Sequence, residues 1–375
     1  MASAETDRAN SRRSFLRRHA KTIVASVVML LAFAGILSAG GLPVLPPKGV
    51  LARADTFGVV LFVLGMLVHM LTRFARYHFL VAPLAHVPMR RIMTINAIGM
   101  ALITFLPLRL GEVARPAMLR EKGQLSGWAV TGTVGAERVL DGLLFAVILF
   151  VGAAIAVPHE PLPSHIGAFP IPATLVTQAA RVAGLVFGVA FLLMLWFYRY
   201  RAFARRVTER AIGLVSARLA TRVADVVSNL SEGLSFLTNV RHVVPYAAVS
   251  LFSIGSQIWS IQVLAAALGM PELDFTRSAV VLGLVALGFG LPNAPGFFGT
   301  VQLAIYAGLA AYVSPDKVVN EGAALVFVFY ATYLGLVVLL AVLSLALEAA
   351  LPQRDTGLAG EPRVSPPDPT QSAKP

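Results

Sequence analysis

Long apolar runs, separated by short clusters of Arg and Lys, dominate this sequence. A helix needs roughly 20 consecutive apolar residues to cross the hydrocarbon core of a bilayer. Only 13% of the 375 residues are charged, against roughly 25% in soluble domains. Because lipid offers no water to backbone polar groups, such runs must fold as helices. The sequence therefore predicts an all-α integral membrane protein.

About six of these runs are predicted to cross the membrane completely. They are residues 22–39, 56–71, 127–157, 174–197, 243–268 and 322–350. Lys- and Arg-rich loops tend to stay in the cytoplasm. Residues 1–21 carry six such residues, so we predict a basic, cytoplasmic N-terminus. The Pro-rich residues 351–375 are predicted to form a disordered cytoplasmic tail.

Two further apolar segments do not fit a topology in which every apolar segment crosses the membrane and successive loops lie on opposite sides. The loops 72–91 and 109–126 are both basic, yet a full crossing between them would separate them by the membrane. The conflict disappears if residues 92–123 form a re-entrant helical hairpin that turns at Leu-Pro-Leu-Arg-Leu-Gly. A second hairpin, entered from the opposite side, is predicted at residues 278–313, where Leu-Pro-Asn-Ala-Pro-Gly interrupts the run.

The two hairpins predict an inverted repeat. Each hairpin follows one full span and precedes another, but the spans 56–71 and 243–268 run in opposite directions. Broken helices at corresponding positions of inverted repeats are typical of transporters. The predicted breaks contain Pro107, Gly111, Pro292, Pro295, Gly296 and Gly299. Between the halves, residues 198–242 are predicted to form a basic amphipathic segment on the cytoplasmic leaflet.

Charged residues cluster at the first break and in the span that follows it. They are Arg109, Glu112, Arg115, Glu137, Arg138 and Asp141. Spacings of three and four predict one shared helical face in each group. A charge inside the membrane costs ~2.5–3.5 kcal/mol on insertion scales, so it needs a partner. Two compatible interpretations stay open: a self-neutralising buried network, or arginines that hold an anionic head group through guanidinium–phosphate pairs.

Other residues carry weaker predictions. Asn293, at the second break, offers a polar group to a cavity. Arg73 and Arg76 lie near the predicted end of a span, where the simplest expectation is that they reach the lipid head groups. The basic residues behind the net charge of +12 cluster in segments between apolar runs, as in membrane proteins. We therefore expect no nucleic-acid partner. With no cysteine and no catalytic or zinc motif, we expect no metal, cofactor or catalytic residue.

Three stretches of sequence resemble a known family. They are LPLRLGEVARPAMLREKG, AERVLD and LPNAPGFFGTVQLAIYAGL. In this order they resemble the lysylphosphatidylglycerol synthase transmembrane-region family, whose members are also called flippase-like domain proteins. The resemblance covers residues 20–350 and implies a flippase-like transmembrane domain at 22–350. The matching positions are Arg109, Gly111, Glu112 and Arg115, then Glu137, Arg138 and Asp141, then Pro292, Pro295, Gly296 and Gly299.

The resemblance implies movement of lipids or lipid-linked groups between leaflets of the bacterial cytoplasmic (inner) membrane. We therefore expect a non-enzymatic lipid translocase with both termini in the cytoplasm. Its substrate would be a membrane phospholipid or a polyprenyl-linked lipid with an anionic head group. Some members carry a C-terminal aminoacyl-transferase domain, which we do not expect here. The alternative is an accessory subunit for a separate lipid-modifying or glycosyl-transferring enzyme.

Overall fold

The described part of the chain is almost entirely helical. The computed structural model describes residues 27–106, 111–112, 114–123, 125–158, 165–166, 169–170, 174–200, 226, 229, 231–291 and 294–350. Its α-helices are α1 (Val27–Ala39), α2 (Thr56–Val81), α3 (Met89–Phe105), α4 (Ala114–Gly123), α5 (Gly127–Ile155), α6 (Leu175–Arg199), α7 (Val240–Ala267), α8 (Phe275–Gly290), α9 (Thr300–Ala310), α10 (Pro315–Val319) and α11 (Glu321–Ala350). Two-residue strands, β1 (His165–Ile166) and β2 (Phe169–Pro170), pair antiparallel between α5 and α6. Apart from this strand pair, the all-α prediction is confirmed.

Within the described residues, five helical segments are long and apolar enough to cross a membrane. They are α2, α5, α6, α7 and the continuous segment Pro315–Ala350, which contains α10 and α11. They correspond to five of the predicted full spans, and the remaining run, 22–39, is described from Val27 as the shorter apolar helix α1. Their outer faces expose large apolar side chains such as Phe150, Leu185 and Leu192. Such a continuous apolar exterior is what a lipid-facing surface requires.

Helices α2 and α7 pack closely against each other. Small residues make this possible: a Cβ atom added to Gly65 would lie 2.1 Å from Ser260 Oγ, and one on Gly58 would lie 2.6 Å from the Cβ of Ala267. Membrane helices gain no hydrophobic free energy from association, so close backbone approach is their main source of packing energy. The α2–α7 pair is therefore a central structural element.

Each predicted break is flanked by two short helices. Helices α3 and α4 flank the first break, and α8 and α9 flank the second. In the second break, Pro295 begins a 3-10 turn that ends at Phe297. Gly296 and Gly299 have φ angles of 80° and 98°, which glycine adopts at little cost. A Cβ on Gly299 would also lie 2.2 Å from the ring of Phe33 in α1, so the second break is held against α1.

The helices of the two halves make corresponding contacts. Helix α3 packs on α11 as α8 packs on α5, and α2 contacts α3 as α7 contacts α8. Helix α4 contacts α5 as α9 contacts α11. Each contact becomes its counterpart when α2, α3, α4 and α5 are exchanged for α7, α8, α9 and α11. The α2–α7 contact is its own counterpart in this exchange.

Several predicted segments lie wholly or partly outside the described residues. Residues 1–21 and 351–375 are among them, as is most of the predicted amphipathic segment 198–242. The described ends of that segment belong to α6 and α7. Just before α7, the turn Ser235–Thr238 buries Phe236 in a cluster with Tyr77 of α2, so this end is anchored to the helical core.

The α2–α7 contact makes a testable prediction. Gly65→Ala should lower the free energy of unfolding by about 1–3 kcal/mol, the usual cost of overpacking. Gly255→Ala on α7 is the matched control, because a Cβ there has nothing within 4 Å. Alanine favours helix over glycine by about 1 kcal/mol, so the control should be equally or more stable. SDS-induced unfolding in mixed micelles measures both, and equal stability of the two variants would contradict close α2–α7 packing.

Candidate functional site

Four buried charged residues form one network between α2, α4 and α5. Arg76 Nη2 lies 2.5 Å from Asp141 Oδ2 and 3.4 Å from Glu137 Oε1. Arg115 Nη1 lies 2.5 Å from Glu137 Oε2. The exposed fractions are 2% for Arg76 and Glu137, 4% for Arg115 and 8% for Asp141. Because a buried charge without a partner is strongly destabilising, these four residues depend on one another.

Neighbouring helices complete the surroundings of both arginines. The guanidinium carbon of Arg115 lies 5.0 Å from the ring centroid of Tyr77, and that of Arg76 lies 5.3 Å from the ring centroid of Tyr246. Arg76 Nη1 also donates a hydrogen bond to Ser250 Oγ on α7 at 3.0 Å. Aromatic faces stabilise cations that have left water. The network therefore ties α2, α4, α5 and α7 together.

The local sequence explains part of this arrangement. Glu137 and Asp141 are four residues apart on α5, so both reach the same cation, Arg76, as their spacing predicts. At the first break, a Cβ on Gly111 would lie 2.2 Å from the backbone carbonyl carbon of Leu102 on α3. Glycine thus lets the returning chain lie directly against α3.

Glu112 and Arg115, which the sequence analysis places on one helical face, have different partners. Glu112 precedes α4, which begins at Ala114, and Val113 between them lies outside the described residues. Glu112 Oε1 lies 3.4 Å from Arg138 Nη2, and these side chains are 33% and 36% exposed. This outer ion pair links the first break to α5 beside the buried network.

A cavity of about 330 Å³ lies next to the network. Its polar wall consists of His69, Arg73, Glu112, Arg138, Asp141 and Gln257. The rest of its wall is mostly apolar and aromatic and comes from α2, α3, α5, α6, α8 and α11, with Phe297 from the second break. The cavity therefore contacts residues from both breaks, and its lining combines charged and amide side chains with a larger number of apolar ones.

Arg73 is a cavity residue that the sequence analysis assigned elsewhere. The expectation that Arg73 and Arg76 reach the head groups at a span end is wrong, because α2 continues to Val81 and Arg76 is buried. Arg73 lines the cavity. His69, Arg73 and Arg76 are separated by four and three residues, which places them on one helical face. That spacing is the feature of the sequence that could have placed Arg73 at the site.

The remaining predicted site residues have less structural information. Arg109, Asn293, Pro107 and Pro292 lie outside the residues that the structure describes. Gly111, Pro295, Gly296 and Gly299 lie at the breaks, where they shape the backbone. Within the described ranges, no three His, Asp or Glu side chains are grouped as a metal site.

The two kinds of ion pair predict different costs of mutation. Arg115→Gln should destabilise the protein by about 3 kcal/mol, because it leaves buried Glu137 without its 2.5 Å partner. Arg138→Gln is the matched control and should cost about 1 kcal/mol or less, since its ion pair is partly solvated. Unfolding by SDS in mixed micelles measures both. A smaller cost for Arg115→Gln than for Arg138→Gln would rule out the buried network as described.

Comparison with known proteins identifies the family. Residues 20–341 match the family described as the lysylphosphatidylglycerol synthase TM region. No curated protein and no solved structure gives a significant match. The matched residues include both breaks, the buried charge network and the cavity wall. The chain therefore belongs to the lysylphosphatidylglycerol synthase transmembrane-region family.

Proposed function

We propose that this protein is a lipid translocase that passes the head group of a membrane lipid through its cavity. The observation that carries the proposal is the mixed lining of the cavity, in which charged and amide side chains accompany a larger number of apolar side chains. A lipid likewise combines a polar head group with apolar chains. The head group would cross through the cavity while the chains stay in the bilayer.

The position of the cavity supports this function. In transporters built from inverted repeats, the substrate site lies where the broken helices of the two halves approach each other. Here the corresponding contacts of α3 with α11 and of α8 with α5 support an inverted repeat. Glu112 from the first break and Phe297 from the second both line the cavity. A cavity volume of about 330 Å³ lies within the range of small-molecule sites.

The helix–break–helix pairs act as re-entrant hairpins in this proposal. Helix α4 contains Arg115, Arg120, Glu121 and Lys122 within its ten residues, which is too polar for a full crossing. With two hairpins, the basic segments 1–21 and 198–242 fall on one side, the cytoplasm, as does the tail 351–375. The protein would then lie in the bacterial cytoplasmic membrane with both termini inside.

The two ion-pair groups have different roles in the proposed movement. The network of Arg76, Arg115, Glu137 and Asp141 is buried and holds α2, α4 and α5 in place. The Glu112–Arg138 pair is partly exposed and borders the cavity, so it can separate at low cost. Of the predicted arginines, Arg138 is thus better placed than Arg115 to contact a head group. The protein itself makes or breaks no covalent bond in this proposal.

Blocking the cavity tests the translocase function. Ala286→Trp would place an indole in the cavity from α8 without removing a charge, and it should abolish movement of labelled lipids between leaflets of proteoliposomes. Leu192→Trp is the matched control, because Leu192 is exposed on the outer face of α6. The control should retain the translocation rate of the unmodified protein. A fluorescence-quenching assay with anionic and zwitterionic lipids measures both.

Two outcomes would contradict the proposal. Unchanged translocation by folded Ala286→Trp would show that lipids do not use this cavity. If the unmodified protein, folded and inserted, moved no lipid in the panel, the translocase function itself would fail. An accessory subunit that positions a separate lipid-modifying or glycosyl-transferring enzyme would then be the better explanation, and co-purification with such an enzyme would be the next measurement.

A further inference from the structure

The charges around the cavity do not balance. Within the described residues, the site contains four guanidinium groups and three carboxylates. They are Arg73, Arg76, Arg115 and Arg138, and Glu112, Glu137 and Asp141. Each carboxylate contacts at least one of Arg76, Arg115 and Arg138. Counted over the described residues alone, the site has one positive charge in excess, and the arginine outside these pairs is Arg73.

Arg73 lies in the cavity wall without a direct partner. Its side chain forms no hydrogen bond or ion pair in the described structure. It interacts at longer range with Asp141 and Arg138. A cation in the membrane interior costs free energy until an anion neutralises it. Each nearby carboxylate already pairs with another arginine, although Oδ1 of Asp141 has no hydrogen-bond partner, so we expect a further anion from outside the described site.

Gln257 is a second unpartnered group on the same cavity wall. It lies on α7, is only 6% exposed, and lines the cavity. It forms no hydrogen bond with any described residue. A buried amide without partners loses free energy, and its NH₂ group is a donor suited to an anionic oxygen. Arg73 on α2 and Gln257 on α7 thus both offer hydrogen-bond donors to the cavity.

We propose that Arg73 and Gln257 bind the phosphate of a monoanionic phosphodiester lipid, an inference that rests on the proposed lipid cavity and names its substrate class. One negative charge neutralises the single excess cation. A phosphomonoester with two negative charges would place the second beside Asp141 and Glu112. A head group without net charge would bring a cation beside Arg73 and Arg138. Phosphatidylglycerol, which is a glycerophospholipid, and the polyprenyl phosphate sugars both carry a phosphodiester with one negative charge.

Binding in detergent tests this site separately from transport. The full-length protein in a neutral detergent is titrated with short-chain phosphatidylglycerol, phosphatidic acid and phosphatidylcholine, and with a polyprenyl phosphate hexose. The pH is chosen so that phosphatidic acid carries two negative charges. Calorimetry should show a preference for the two phosphodiester monoanions, and the tighter of them identifies the source of the phosphate.

Matched variants assign the site to Arg73. Arg73→Gln should weaken phosphatidylglycerol binding about tenfold or more, the usual loss for a hydrogen-bonded charge. Arg53→Gln, at an exposed arginine outside the cavity, should leave affinity unchanged. Arg73→Lys keeps the charge but not the bidentate donor geometry, so its affinity should fall between the two. Arg73→Gln should also fold normally, because no carboxylate loses a hydrogen bond or an ion pair with it.

The results separate this inference from the proposed function. Equal affinity of Arg73→Gln and the unmodified protein, or a preference for the dianion, would overturn the phosphodiester site. If translocation still occurred in that case, the proposed function would stand without this site. Arg73-dependent binding without any translocation would support the site and overturn the translocase function.

Discussion

The structure depends on the buried contact of Arg76 with Asp141 and Glu137. It joins α2 to α5, and Glu137 extends it to Arg115 at the start of α4. In a low-dielectric interior, each of these charges is tolerated only while the others stay within reach. The network holds α4 against α2 and α5, and its member Asp141 lines the cavity.

The same network explains why the cavity keeps a free cation. Arg76 and Arg115 both pair with Glu137, and Arg76 also pairs with one oxygen of Asp141. Arg138 pairs with Glu112. An unpaired arginine near a helix end could extend its side chain to water. Arg73 lies eight residues before the end of α2 at Val81 and lines the cavity. A transporter that bound its substrate through fully paired charges would first have to break those pairs. An unpaired arginine avoids that cost.

Much of this fold was predictable, because hydropathy and loop charge act locally. The five described spans and the two breaks follow from apolar run length and from Pro and Gly. The shared partner of Glu137 and Asp141 follows from helical periodicity. The length of α2 did not follow, because Arg73 and Arg76 interrupt the apolar run and indicate an end. The partners of Arg76 lie on α5 and α7, and Gly111 lies directly against α3. These are tertiary contacts that no local pattern reports.

The two halves correspond in packing but differ in chemistry, and this difference constrains the proposed movement. Among the described residues, the four charged side chains of the cavity wall come from α2, the first break and α5; they are Arg73, Glu112, Arg138 and Asp141. The second half supplies Gln257, Tyr333 and an apolar surface from α8. In the proposed function, a head group bound by charge would therefore stay with the first half throughout a transport cycle. Alternating access would come from movement of α8, α9 and α11 along that fixed site, since apolar contacts can slide without leaving a charge unpaired.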